Sequence, residues 1–158
     1  MSVVSVRVQT GVFDAAAECA RLRRLPGVGA VATFTGICRD EDGRLAALEL
    51  EHYPGMAEAE IERIATEAAG RWPLAGIAVV HRFGRIAVGE DIVLVATAST
   101  HRDAAFEAAR FVMDFLKTRA PFWKKEHAAA GAPDGDWVAA RSGDEDAAAR
   151  WSRGRRAE

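Results

Sequence analysis

Apolar and polar residues alternate from the start of the chain, where Val4, Val6 and Val8 are separated by Ser5 and Arg7, and this predicts a first strand. Helical spacing follows from Phe13 to Leu25, with Ala17, Ala20 or Arg21, and Leu25 on the inner stripe and Pro26-Gly27 as the stop. Val28 to Ile37 is β-branched and strand-like. After the polar loop Arg39 to Arg44, Leu48, Leu50 and His52 alternate with Glu49, Glu51 and Tyr53, which predicts a second strand paired with the one before it. Met56 to Trp72 carries Ile61, Ile64, Ala65 and Ala68 at amphipathic helix spacing, with Pro73 at its end.

Two further strand patterns, Ile77 to Phe83 and Asp91 to Ser99, are joined by a Gly84 to Glu90 connection. A third helix is expected from about Arg102 to Thr118, with Ala105, Ala109, Val112 and Leu116 inward and Pro121 beyond its end. Phe122 to His127 and Trp137 to Ala139 read as short strands. The order β-α-β-β-α-β-β-α-β-β is that of an α+β protein whose middle is a ferredoxin-like split βαβ unit. No repeat or linker interrupts it, so residues 1–141 are expected to form one domain and residues 142–158 a charged C-terminal tail on the surface or against a partner.

Composition narrows the function. The 21 Lys and Arg against 23 Asp and Glu give a net charge of −2, which argues against a nucleic-acid binder that works by bulk charge. The longest apolar runs, such as Ile92 to Ala98, fall far short of the roughly 18 residues that a membrane span needs. The first residues lack both a basic leader and a continuous apolar core, so no export signal is expected. Cys19 and Cys38 form no CxxC pair, and a reduced, cytoplasmic setting follows from all three features.

Gly27-Val-Gly29-Ala-Val-Ala32 matches a dinucleotide-binding fingerprint, but it follows a helical segment and opens a β-branched run. Its glycines are expected to cap a helix and admit a strand. Thr100-His101-Arg102-Asp103 predicts a capping-box-like start to the third helix, with Thr100 as the cap. Two basic side chains in that first turn oppose the helix dipole at a cost of a few tenths to about 1 kcal/mol unless an anion neutralises them. Either His101 and Arg102 collect an anion there, or they bend into solvent or toward surface carboxylates.

Lys117-Thr-Arg119-Ala-Pro121-Phe-Trp123-Lys124-Lys125 places four cations in nine residues without a carboxylate. Strand alternation sends Phe122, Lys124 and Glu126 one way and Trp123, Lys125 and His127 the other, so one of the adjacent lysines can share a site with Lys117. A desolvated lysine beside another cation has a lowered pKa and can act as general acid or base; a solvated basic turn beside core aromatics is the alternative. His52 and His81 lie in strand patterns and read as satisfied core or edge histidines. No Cys/His spacing implies a metal. Cys38 beside Arg39 is either a low-pKa thiol or a small buried hydrophobe.

Five segments together resemble the large, catalytic subunit of molybdopterin synthase. They are Ala32-Thr-Phe-Thr-Gly36, Leu50-Glu-His-Tyr-Pro-Gly-Met56, Ser99-Thr-His-Arg102, Phe106-Glu-Ala108 and Met113-Asp-Phe-Leu-Lys-Thr-Arg-Ala-Pro-Phe-Trp-Lys124. The resemblance runs from about Gly29 to Trp151. The fold expected is therefore α+β, a ferredoxin-like split βαβ core with an additional small antiparallel β subdomain of α/β-hammerhead type. The resemblance implies transfer of two sulfurs to cyclic pyranopterin monophosphate, giving the molybdopterin dithiolene. Sulfur would arrive as a thiocarboxylate on the C-terminal Gly-Gly tail of a small ubiquitin-like sulfur-carrier subunit. It also implies a central homodimer within a heterotetramer, an active site that draws basic residues from both large subunits, and no cofactor.

Residue by residue, the resemblance makes Lys117 the lysine nearest the chemistry and Lys124 the second pocket lysine. Arg39, His101 and Arg102 would hold pterin and phosphate, with Ile37, Cys38, Lys125 and Glu126 completing the substrate-binding set. Ile37 stands where many relatives carry lysine, and the Arg39 to Arg44 loop is shorter than in some of them. Two other classes fit the residues: a noncatalytic ferredoxin-like module that binds an anionic metabolite, and an adaptor that docks a ubiquitin-like protein without chemistry.

Overall fold

The computed structural model describes residues 1–131 and 133–138, together with 149 and 151. In chain order the elements are β1 (Val3–Gln9), α1 (Ala15–Arg23), β2 (Ala30–Ile37), β3 (Leu45–Glu51), α2 (Met56–Arg71), β4 (Leu74–Arg82), β5 (Gly84–Ala87), β6 (Asp91–Ser99), α3 (Arg102–Arg119) and β7 (Trp123–Ala128). They build an α+β structure of two sheets, one of four strands in the order β1-β4-β6-β2 and one of three in the order β5-β3-β7.

The larger sheet is mixed. β1 runs parallel to β4, while β6 is antiparallel to both β4 and β2. β2 and β4 therefore point the same way with β6 between them, and the crossover that joins them carries α2; this is the split βαβ unit. Alternation along the central strands separates two apolar layers. Ile77, Val79, Val93 and Val95 face α2 and α3, where Ile61, Ile64, Phe111 and Val112 are fully buried. Ala78, Ala96 and Ala98 face Leu22 of α1 on the other side. The small sheet has its own core of Cys38, Leu45, Leu50 and Ile86. Phe122 and Ile92 pack against both that core and the large one.

Local sequence accounts for most element boundaries. Asp14 caps α1 by accepting from the Ala17 amide at 3.0 Å. The Glu58 carboxylate accepts from the Gly55 amide at 2.9 Å at the start of α2, and Pro73 follows its end. Gly29 belongs to a close approach, since a Cβ there would lie 2.3 Å from the Thr100 carbonyl oxygen. The G-x-G-x-x-A stretch is thus a turn and a strand entry, as its context in the sequence implies.

Four details differ from the sequence reading. The strands on either side of the Arg39–Arg44 loop do not pair with each other: β6 occupies the edge of β2, and β3 lies between β5 and β7. The turn responsible runs through left-handed backbone at Glu41 (φ 54°), Asp42 (φ 59°) and Gly43 (φ 79°), which carries the chain out of the large sheet. The Gly84 to Glu90 connection itself contains β5, a four-residue strand whose single buried side chain, Ile86, leaves too little alternation to read. The cap of α3 is His101, not Thr100, and makes no side-chain bond, because the helix begins one residue later than a capping box would need. Of Trp137 to Ala139, Val138 makes an isolated bridge to Lys124, while Ala139 and most of the 142–158 tail lie outside the described residues. Trp151 packs edge-on against Trp72 and Phe111 and donates from Nε1 to Asp114 at 2.6 Å.

Glu18 is the buried charge of the α1 face, 3% exposed, and its carboxylate accepts from both Arg7 of β1 and Arg21 of α1. Burial alone would raise its pKa, but the bonds from Arg21 and Arg7 outweigh it and hold the carboxyl below 4.5. A depressed folded-state pKa gives stability that is present above the unfolded value and lost as pH falls through the folded one. Glu18→Gln should therefore destabilise the protein at pH 7 by about 1–3 kcal/mol. Thermal melts should show the gap to the parent protein closing as the pH drops below 4.5.

Candidate active site

α3 ends in a turn that holds Lys117, and the chain re-enters as β7 with Lys124. The connection is tight. Ala120 leaves helical conformation (φ −67°, ψ 124°), Pro121 follows, and the Phe122 amide donates to the Ala120 carbonyl at 2.9 Å. The Phe122 ring enters the junction between the two sheets. There it stacks on His81 of β4, with centroids 4.1 Å apart and planes at 14°, and lies 5.5 Å from His52, just past the end of β3. His52 in turn meets Phe83 edge-on at 4.6 Å.

The electrostatics of this junction follow from the same packing. His81 donates from Nδ1 to the Arg82 carbonyl at 2.8 Å. The loss of water around the ring lowers its pKa to about 4, and the nearby positive charge of Lys117 and the ring of His52 push in the same direction. His81 is therefore neutral at physiological pH. On the small sheet, burial raises the pKa of the Cys38 thiol, and the ammonium of Lys124 is close enough to oppose that rise. Lys117, His81, Phe122 and His52 thus lie together where the end of α3 meets the large sheet, and Lys124 lies near Cys38 on the small-sheet side of Phe122.

A model of the MoaE protein family matches residues 8–119. The chain belongs to that family. It is 62% identical over 148 residues to the molybdopterin synthase catalytic subunit of Mesorhizobium japonicum, an alignment that covers 93% of this chain and 92% of that one. Among solved structures, the molybdopterin biosynthesis MoaE protein from Burkholderia ambifaria is similar with a TM-score of 0.81 at 52% identity, over 96% of this chain and 99% of that one. Molybdopterin synthase from Staphylococcus aureus is similar with a TM-score of 0.74 at 29% identity, over 83% of this chain and 94% of that one.

Within this MoaE-family chain the expected site residues fall in several separate places. Lys117 is exposed at the end of α3 beside His81, and Lys124 is half-buried on β7 near Cys38. Ile37, Cys38 and Arg39 follow one another off the end of β2: Ile37 is exposed, and Arg39 is exposed and paired with Glu41 at 2.8 Å. The Cys38 side chain is enclosed, its amide donates to Glu90 and its carbonyl accepts from Gly89, so it supports its two neighbours and presents no open group. Lys125 lies on the face of β7 opposite Lys124, with its Nζ 5.8 Å from the Trp137 ring centre. His127 shares that face between Glu49 and Asp134, each at 3.3 Å. Glu126 borders a separate cavity of about 340 Å³ with Arg44 and Glu41.

His101 and Arg102 are exposed at the far end of α3. Sixteen helical steps separate His101 from Lys117, about 24 Å along the axis, so the two ends do not meet within one chain. Sequence reading missed His52, His81 and Phe122 as a unit. Each sits at a strand end in its own pattern, and nothing in their spacing shows that three elements bring them together. The low-pKa alternative for Cys38 fails because the thiol is buried among Leu45, Leu50 and Ile86. Burial also raises the Cys19 thiol, with the Glu18 charge adding to the effect. Both thiols should therefore resist alkylation by iodoacetamide at pH 7 in the native protein and react in denaturant, a contrast that peptide mass spectrometry would read directly.

Proposed function

We propose that the chain is the catalytic subunit of a molybdopterin synthase, transferring sulfur from a thiocarboxylated small sulfur-carrier subunit to cyclic pyranopterin monophosphate, with Lys117 and Lys124 as its catalytic pair. What supports this reading is the placement of Lys117 beside a neutral imidazole and of Lys124 near Cys38, on the two elements that Phe122 joins, in a chain that aligns with a molybdopterin synthase catalytic subunit over 93% of its length. The chemistry calls for such a site. The substrate is a cyclic phosphate, opening its ring develops negative charge, and cations fixed at the junction stabilise it. Lys117 moves protons at the carbons where sulfur adds and water leaves. The sulfur itself comes from the carrier, in keeping with two buried or half-buried thiols of raised pKa. No helix among the described residues is long and apolar enough to cross a membrane, and the enzyme works in the cytoplasm.

Arg39, His101 and Arg102 hold the pterin and its phosphate. Because the His101 end of α3 is about 24 Å from Lys117, a complete site takes one end of the helix from each of two large subunits. Exposed apolar surface supports that pairing, since Phe34 on the edge strand β2 is 42% exposed and Phe106 on α3 is 65% exposed. The carrier's glycine-ended tail reaches the lysines as an extended segment, which its lack of side chains permits. One small carrier subunit at each end of the pair makes a heterotetramer.

Lys117→Ala should keep its fold and lose about 10²–10⁴-fold in turnover with thiocarboxylated carrier. Wild-type turnover in that variant would instead support a binding module or adaptor. The shared site has its own test. Lys117→Ala and the double variant His101→Ala/Arg102→Ala should each lose most turnover alone, but co-expression should restore about a quarter of the sites, as statistical mixing of protomers in a two-fold dimer requires. A site built within one chain would restore none.

A further inference from the structure

The two lysines are seven positions apart and belong to different elements, so their spacing depends on the connection at 120–122. Inside that connection one side chain reaches both apolar cores, the Phe122 ring. We propose that His81 and His52 are positioning residues, gripping the Phe122 ring so that the connection holds Lys117 and Lys124 at a fixed separation. This rests on the catalytic reading of the lysine pair given above.

Three features of the geometry support a grip rather than incidental packing. The His81 ring lies nearly parallel to Phe122, with centroids at 4.1 Å and planes at 14°, while His52 meets the same ring at 5.5 Å and 48°. Each imidazole is itself tethered by Nδ1 to the carbonyl of the residue that follows it, His81 to Arg82 at 2.8 Å and His52 to Tyr53 at 3.1 Å. Behind His81, the Arg82 guanidinium is buried and donates to the Thr10 carbonyl at 3.0 and 3.1 Å, to the Asp91 carbonyl at 3.2 Å and to Glu90 at 3.3 Å, so that end of β4 is pinned from β1 and β6.

Imidazole suits the position chemically. A carboxylate under Lys117 would pair with the ammonium and hold it away from substrate, and a permanent cation would repel it. An aliphatic side chain would supply neither the flat stack nor the tether. His81, kept uncharged with Lys117 of α3 and His52 facing it, adds no charge beside the lysine. The cost of losing the grip is positional, because a misplacement of about 1 Å at a reacting group is worth up to about 10²-fold in rate.

The test is a double-mutant cycle in the assembled enzyme, with kcat measured per folded molecule below the melting temperature of every variant. His81→Ala and Phe122→Leu should each lower kcat by about 10- to 100-fold with the KM for carrier changed less than about threefold. Combined, they should lose no more than either alone, because both remove one grip. His81→Phe, which keeps the flat stack, should recover most of the rate. Should His81→Ala not fold, His52→Ala carries the same measurement with a smaller expected loss. Full kcat in a folded His81→Ala, or losses that multiply in the double variant, would overturn the grip. Lys117→Ala measured in parallel separates the two ideas: if it is inactive while His81→Ala is fully active, the grip falls and the catalytic reading stands, whereas an active Lys117→Ala brings down both.

Discussion

One ring holds the two halves of this molecule in register. Phe122 packs against the cores of both sheets, and it lies in the short connection between the element that carries Lys117 and the element that carries Lys124. Hydrophobic burial has no direction of its own, so a shared apolar side chain could by itself tolerate a range of angles between the sheets. The two tethered imidazoles remove that freedom, because flat rings at 4.1 Å admit few alternatives. The precision of the candidate site therefore originates in packing, and its charges are mounted on that packing.

The division of labour between the sheets follows from the same constraint. The large sheet is covered on both faces and supplies rigidity, with Ile77, Val79, Leu94 and Val95 inaccessible to water. The small sheet has little core of its own, four buried apolar side chains with others half-buried around them, and Ile92 and Phe122 join it to the larger one. Positive charge gathers where these unequal parts meet. A lysine at the end of a helix is favourable because it complements the dipole, so Lys117 costs the fold nothing until it faces a second cation. Lys124 lies on β7, across the Phe122 connection, and the neutral His81 ring adds no charge beside Lys117.

Local rules made most of the fold legible. The helical stripes of α2 and α3, the stop at Pro73 and the alternation that separates Lys124 from Lys125 each depend on a handful of adjacent residues. Pairing does not. The β3 sequence alternates as well for a partner in β2 as for β5 and β7, and the left-handed turn at Glu41 and Asp42 that decides the matter is made by residues with no strong preference for it. The site shows the same limit. Lys117, Lys124 and Phe122 stand close together in the sequence, in a stretch marked by charge without a carboxylate. His52 and His81 come from strands 29 positions apart and look like ordinary strand residues until the fold lays them against one ring. The cap of α3 differs from the sequence expectation by one residue: Thr100 has the chemistry of a cap, but its carbonyl lies against Gly29 and the helix starts from His101.

On the proposed reading, the length of α3 determines the symmetry of the working enzyme. Its 18 residues span about 27 Å, which sets anion-collecting groups at one end and proton-moving groups at the other. A single copy then has two half-sites too far apart to act on one small substrate. A two-fold axis near the middle of the helix resolves this, since it lays the His101 end of each copy against the Lys117 end of the other and completes two sites at once. A heterologous, head-to-tail arrangement would also bring unlike ends together, but it would leave an unmatched half-site at each terminus of an open chain. The exposed Phe106 lies one turn in from the start of α3, close to the His101 end that each copy would lay against its partner. Catalytic competence and dimerisation would then be the same event, and a free monomer would carry every residue of the site while holding none of its sites complete.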